Sequence, residues 1–401
     1  MSLENNTIRL HLLGIPHTVT TNVFSHCAFT GKVLRFSPMM ISRGFEVYHY
    51  GTEGSESGAT KQINLLTKKE WENLRNISYQ YLHPELTEEE VSSKLNDTTG
   101  FIGDLANWDT PLYKMFNKRL EIELKKNYRG HATDLVCIPF SPGSYDECLK
   151  NVNVITVESG IGYNNSNKLY RIFESHIYKH KQLGKEGIEN SSNYWFVIPN
   201  YYNIAEWKFV PKIEKKRIGF FGRITQLKGC NIFKEISKKF PQIEFVICGQ
   251  GDPSPYLEFP NIVYQPPIHG TERSDYLGSL SALICPSLYI EPFCGVNVEA
   301  QICGTPVIAN NFGAFVETVE NFKTGLLCHT LADFCVGVQM ALDDKFDRKY
   351  IRDRAVKKYD MYNVAKQYEH AFKCIVDLST ENNGWYSPYS HMVIEDDNKD
   401  E

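Results

Sequence analysis

Between Leu283 and Asn310 the chain reads LICPSLYIEPFCGVNVEAQICGTPVIAN, two short apolar runs with a loop and a helix-length segment between them. Leu283 to Cys285 end an apolar strand, and Pro286 to Phe293 make a loop. Cys294 to Cys303 have helical length and composition, Gly304 suits the position just past a helix, and Pro306 forbids continuation. Pro306 to Ala309 then restart as a buried strand. Strand, crossover helix and strand in this order demand a parallel sheet. The unit also sets Glu291 at the mouth of a helix N-terminus and Glu299 about one turn inside it. Backbone N–H groups and the helix dipole there suit a phosphate, and two nearby carboxylates suit the hydroxyls of a sugar and a ribose. Taken alone, the segment also admits the plainer reading of an exposed acidic loop and helix.

The upstream segment favours the first reading. Arg217 to Gly229, RIGFFGRITQLKG, is an apolar strand (Ile218 to Phe221) ending in Gly222-Arg223, with Lys228-Gly229 before a helical stretch. Glycine lets backbone approach a ligand closely. Arg223 offers a planar fork for phosphate oxygens and Lys228 a compact positive charge. A basic pair is ordinarily a solvated surface feature, but open α/β sheets bind ligands at the carboxyl ends of their strands. Ile243 to Gly251, IEFVICGQG, is another apolar strand running into a Gly-Gln-Gly turn, and Ile262 to Val263 and Ala282 to Cys285 keep the rhythm.

In order, the blocks GFFGR…LKG, VICGQGD, SALICPSLYIEPFCGVNVEAQICGTPVIA and GAFVETVENFKTGLL cover about Arg217 to Leu327. This set resembles the nucleotide-sugar-binding half of the family 4 retaining glycosyltransferases (glycosyl transferases group 1). The resemblance implies the GT-B fold, two Rossmann-like, doubly wound parallel-sheet domains facing a cleft. It implies that Arg223 and Lys228 bind the donor diphosphate beside Gly222, and that Glu291 meets the transferred sugar. The backbone of Phe293, Cys294, Gly295 and Val296 would lie near sugar and phosphate, and Glu299 would take the ribose hydroxyls. The implied reaction moves a sugar from a nucleotide diphosphate sugar to an acceptor hydroxyl, in glycan synthesis, with Glu291, Arg223 and Lys228 as catalytic groups. No cofactor or metal is expected, since two cations and a helix N-terminus neutralise the leaving diphosphate. The alternatives are a sugar-nucleotide epimerase of the same fold and a non-catalytic sugar-nucleotide or glycan-binding protein.

At 401 residues the chain fits two domains of ordinary size. The boundaries expected are 1–205 for the acceptor side, 206–361 for the nucleotide-sugar side, 362–386 for a helix crossing back to the first domain, and 387–401 for an acidic tail. The family resemblance implies the crossing-back helix, and with it that Trp385 and Tyr386 pack on the first domain. No segment approaches the ~20 apolar residues that span a bilayer, and MSLENNTIRLHLLG lacks the pattern of a signal peptide. Eleven cysteines, an odd number and without a CxxC pair, favour a reducing compartment, so a cytoplasmic monomer is expected. The formal charge of −5 argues against a nucleic-acid partner. Lys114 to Arg129, KMFNKRLEIELKKNYR, reads as a solvated helix face, with peripheral contact to anionic lipid as the alternative.

The first half repeats the alternation. Thr7 to Leu13, Phe45 to Tyr50, Asp134 to Pro139 and Val152 to Val157 read as strands. Ala28 to Ser42 reads as a helix that Pro38 kinks or splits, and Lys68 to Tyr81 and Thr87 to Leu95 as helices, the latter with Thr87 and Glu90 at capping-box spacing. Glu158, placed after a strand in VESGIG, is expected to face the cleft as a base toward the acceptor or as a substrate ligand, or else to cap the next turn. SHCAFTGKV, HYGTEGS, VESGIGY, RIFES and VIPNY resemble the subset of these transferases found in phage and large-virus genomes.

Overall fold

A computed structural model describes residues 7–25, 27–96, 102–131, 133–189, 191–192 and 194–380. The first sheet contains β1 (Arg9–Leu13), β2 (Glu46–Thr52), β3 (Lys61–Leu66), β4 (Asp134–Ile138), β5 (Thr156–Ile161), β6 (Tyr170–Phe173) and β7 (Trp195–Val197). The second contains β8 (Arg217–Phe221), β9 (Glu244–Cys248), β10 (Ile262–Gln265), β11 (Ala282–Cys285), β12 (Val307–Asn310) and β13 (Gly325–Cys328). Their orders are β3-β2-β1-β4-β5-β6-β7 and β10-β9-β8-β11-β12-β13, with all pairings parallel. The order reverses beside β1 and beside β8, the switch points of a doubly wound sheet. Central strands such as β4, apolar after Asp134, are buried along their length because helices cover both faces. These are the two Rossmann-like domains of the GT-B fold.

Local chemistry sets the helix ends. Thr67 and Glu70 exchange capping hydrogen bonds at 2.8 and 3.2 Å to start Lys68–Leu82, and Thr87 and Glu90 do the same at 2.8 and 3.3 Å before Glu88–Asn96. Pro38 does not split its helix: Ala28–Ile41 runs through it, and the proline, in the last turn, forgoes its own N–H bond to the preceding turn with three helical residues left beyond it. β5 begins at Thr156 and not at Val152, so Glu158 lies inside the strand. β3 was not expected: its sequence, KQINLL, alternates polar and apolar residues and follows a glycine-rich turn.

The chain crosses between domains twice, side by side. Tyr202 N donates to Tyr359 O and Met361 N to Tyr202 O, both at 2.9 Å. The helix Met361–Thr380 then lies on the first domain, with Tyr368 and Phe372 edge-on to Phe36 at 5.7 and 6.1 Å. Trp385, Tyr386 and the acidic tail lie outside the described residues. No described helix is long and apolar enough to cross a membrane. On the basic helix Pro111–Asn127, Lys114, Arg119, Lys125 and Lys126 pair with Asp109, Glu70, Glu121 and Glu123, which leaves little unpaired charge on this face.

One buried polar group locks the central strands of the first sheet. Asp134 on β4 accepts from Arg129 Nε and backbone N, both at 2.7 Å, and pairs with His11 Nε2 on β1 at 3.0 Å. His11 Nδ1 in turn meets Tyr50 Oη of β2 at 2.7 Å. Burial opposes the Asp134 charge, but hydrogen bonds from His11 and Arg129 outweigh it and hold the carboxyl at about 2. The folded value thus lies below the unfolded one near ~3.9. The stabilisation is complete above the unfolded value and lost as pH falls through the folded one. Asp134→Asn is expected to cost about 1–3 kcal/mol at neutral pH. Urea denaturation should show this deficit shrinking between about pH 4 and 2; a deficit unchanged by acid would mean that the charge is not its source.

Candidate active site

The loops after β8 and β11 meet at the carboxyl end of the second sheet. Gly229 makes that approach feasible: its φ is +77°, and a Cβ there would lie 2.0 Å from Pro286 O. Leu288 N donates to Leu227 O at 2.8 Å and ties the two loops together. Lys228, in the 3-10 turn Gln226–Lys228, thereby reaches Glu291, with Nζ 2.6 Å from Oε1. Ser287 Oγ donates to the same oxygen at 2.7 Å. Tyr289 lies 5.1 Å from the Lys228 ammonium, and its own phenol is pushed up to about 12, mainly by burial. Burial alone would lower the Lys228 pKa, but the charge of Glu291 overrides it and the net shift is upward. Glu291 is 3% exposed, so this is an ion pair largely withdrawn from water.

The helix following this loop runs Gly295–Ile302, one residue shorter at each end than its sequence pattern. Cys294, just before it, adopts φ +62°, ψ +74°, a left-handed conformation that costs a non-glycine residue roughly 1–2 kcal/mol. Strain of this kind persists where surrounding contacts fix the backbone. Here Asn297 N donates to Cys294 O at 3.1 Å, and Tyr202 Oη to Gly295 O at 3.3 Å. Phe293 is buried against Tyr359, ring centroids 5.8 Å apart, and serves as a wall. Glu299, one turn into the helix, is ion-paired with Arg273 of the helix Gly270–Gly278, whose guanidinium lies 4.6 Å from the Phe221 ring at the end of β8. Arg223 stands exposed beyond Gly222 and makes no hydrogen bond or ion pair among the described residues.

Lys228 and Glu291 are thus brought into contact, and Glu299 is held by a separate cation. Arg273 and Ser287 escaped the sequence reading because nothing local marks a lone arginine or serine as a partner of a distant carboxylate.

Glu158 is a correction. It sits fully buried within β5, and its carboxylate accepts from Tyr163 Oη at 2.8 Å, Ser166 Oγ at 3.1 Å and the backbone N of Asn167 and Lys168 at 2.9 and 2.8 Å. Burial raises its pKa in spite of these donors. The group ties down the loop 163–168 and has no opening to a cleft. The carboxylate that does reach the domain boundary is Glu174, paired with Lys32. Beside it Ser175 Oγ donates to Pro292 O at 2.7 Å, and His176 N and Ile177 N donate to the Glu317 carboxylate at 3.0 and 2.8 Å. Glu317 of the second domain therefore caps a helix of the first, His176–Glu186.

Residues 203–358 match the family of glycosyl transferases group 1. An uncharacterized glycosyltransferase of Methanocaldococcus jannaschii is 28% identical over 185 residues, 41% of this chain and 46% of that protein. The alpha-maltose-1-phosphate synthase of Mycolicibacterium smegmatis is 27% identical over 179 residues, 37% and 46% of the two chains. The chain spans about half the length of the curated relatives it matches. Among solved structures, Anabaena HepE in complex with UDP superposes with a TM-score of 0.61 at 13% identity, covering 92% of this chain and 100% of that one, a likeness of fold.

The ion pair yields a test that separates folding from chemistry. Lys228→Met strands a buried carboxylate and is expected to cost about 2–4 kcal/mol in chemical denaturation, whereas Lys228→Met/Glu291→Leu recovers most of that. Equal stability of the single variant and the wild type would mean that the pair is not buried in solution. Residues 203–358 thus match glycosyl transferases group 1 by sequence, within a chain whose frame is the GT-B fold.

Proposed function

We propose that the chain transfers a sugar from a nucleotide diphosphate sugar to an acceptor hydroxyl, with retention of anomeric configuration and without a required metal. The observation that carries this reading is the buried Lys228–Glu291 pair at the carboxyl ends of β8 and β11, inside the matched domain. HepE, similar in fold, binds UDP at a site of its own. Here the diphosphate would lie between Arg223, Lys228 and the N–H groups at the start of Gly295–Ile302. Glu299 would take the ribose hydroxyls.

Binding of the diphosphate exchanges partners. Lys228 turns from Glu291 toward phosphate oxygens, and the Glu291 carboxylate, relieved of its cation, takes hydroxyls of the sugar. The transition state carries oxocarbenium character at the anomeric carbon and growing negative charge on the departing phosphate. Arg223 and Lys228 act on that charge, and fixed donors of this kind are commonly worth ~3–4 kcal/mol each. Attack from the face that the phosphate leaves accounts for retention and needs no covalent glycosyl-enzyme. Closure of the two domains over the donor would exclude water and protect it from hydrolysis.

Arg223 is the better probe, because an exposed side chain can be removed without orphaning a partner. Nucleotide release from UDP-, GDP-, ADP- and dTDP-sugars, measured without metal, is expected to single out one donor. Arg223→Ala should lower that turnover by about tenfold or more while leaving the melting temperature unchanged. The product anomer, read by proton NMR, should match the donor's. Unimpaired turnover in Arg223→Ala would overturn the diphosphate assignment, and an inverted anomer would overturn retention.

A further inference from the structure

Glu174, immediately after β6, is only 6% exposed and plays no part in the donor site described above. Its Oε1 receives Lys32 Nζ, which also donates to Gly160 O at 2.8 Å and lies 4.5 Å from the Phe29 ring. Its Oε2 has no hydrogen-bond partner among the described residues, yet it is not among the polar atoms sealed from solvent. The space it occupies is kept clear by Gly162, where a Cβ would come within 2.6 Å of the carboxylate.

A cavity of about 230 Å³ opens here between the domains, lined by Glu174, Ser175 and His176 on one side and by Phe293, Glu317 and Tyr359 on the other. Phe293 belongs to the loop that carries Glu291. The hydrogen bond from Ser175 to Pro292 O ties the residue after Glu174 to the residue after Glu291. The two carboxylates therefore flank one interdomain contact, Glu174 from the acceptor side and Glu291 from the donor side.

A carboxylate only accepts hydrogen bonds, and an oxygen that opens on the cavity with no protein donor is left for a donor that enters it. Hydroxyls meet that need. Anions do not, since Glu174 and Glu317 both line the cavity and the lysine on its wall, Lys358, is spent on Glu317 O at 2.8 Å. Val197 and Pro199, half-buried on the cavity wall, add the apolar surface against which the C–H face of a ring packs. We propose that this cavity is the acceptor subsite and that Glu174 binds a hydroxyl of a neutral sugar ring or polyol. The assignment rests on the transfer reading given above. Lys32 is a positioning residue: it fixes the carboxylate by holding its other oxygen.

The test uses the full chain, the donor identified by nucleotide release, and five neutral probes: methyl α-glucoside, methyl α-galactoside, methyl α-mannoside, myo-inositol and glycerol. At least one should accelerate nucleotide release and appear in the product by mass spectrometry. Glu174→Gln should lose about tenfold or more of that acceleration, as expected for one hydrogen bond to a charged group, with nucleotide affinity within about twofold of wild type. Lys32→Met/Glu174→Leu, which leaves neither charge orphaned, should lose it equally and guards against a folding artefact. Transfer at the wild-type rate in both variants overturns the assignment. So does a wild type that binds nucleotide but is accelerated by none of the five. A wild type that binds no nucleotide instead refutes the transfer reading, and this inference falls with it.

Discussion

Parallel strands dictate most of what this chain can do. Each must be reached by a crossover, so every strand delivers its carboxyl end to the same edge of its sheet. The reversal of order beside β1 and β8 then opens a gap at that edge in each domain. The adjacent crossings at Tyr202 and Tyr359–Met361 turn the two edges toward each other. The loop after β6 and those after β8, β11 and β12 meet there as a consequence of topology, before any side chain is chosen.

Within that frame the Lys228–Glu291 pair is, in the proposed function, an interaction that the donor would exchange. A buried ion pair contributes little net stability, because desolvation of both charges offsets their attraction. Its value lies in what each partner keeps ready. Lys228 holds a positive charge at a helix-loop junction where a diphosphate fits, and Glu291 holds a carboxylate that has already been stripped of water. Ser287 and Tyr289 keep both in place while the site is empty. In the transfer proposed above, donor binding would swap one set of partners for another and avoid dehydrating new groups, which suits a site that must stabilise charge as it develops.

The second domain was legible because its signals are local. Apolar runs ending in glycine marked β8 and β9, one ending at Pro286 marked β11, a Gly-Thr-Pro stop marked the helix end, and the spacing of Glu291 and Glu299 fell on that helix and its loop. Arg273 was invisible, since its partner Glu299 lies on another element and only packing joins them. The first domain misled for a related reason. Glu158 stood in a glycine-rich segment that reads as a loop, but β5 runs through it, and a carboxylate within a strand of a sheet covered on both faces turns into a core. Glu174, in RIFES, sits one residue past the end of β6 and so emerges at the carboxyl edge of the sheet. A shift of a few residues in the boundary of β5 moved Glu158 from the loop into the core, and strand boundaries are what apolar pattern determines least well.

The contacts between domains bear on motion as well as position. Glu317 supplies its carboxylate to the first backbone donors of His176–Glu186, groups that a helix leaves unsatisfied by itself. Ser175 spends its hydroxyl both as the cap of that helix and on Pro292 O. Each of these bonds exists only while the domains hold this separation, and water can replace every one of them at small cost. The hinge, in contrast, is two backbone hydrogen bonds flanked by the buried aromatic packing of Phe36, Tyr201, Tyr368 and Phe372. Strong packing at the crossings and replaceable polar contacts across the cleft make rotation about the crossings the cheapest deformation of the molecule. It is also the one that changes the distance between Glu174 and Glu291.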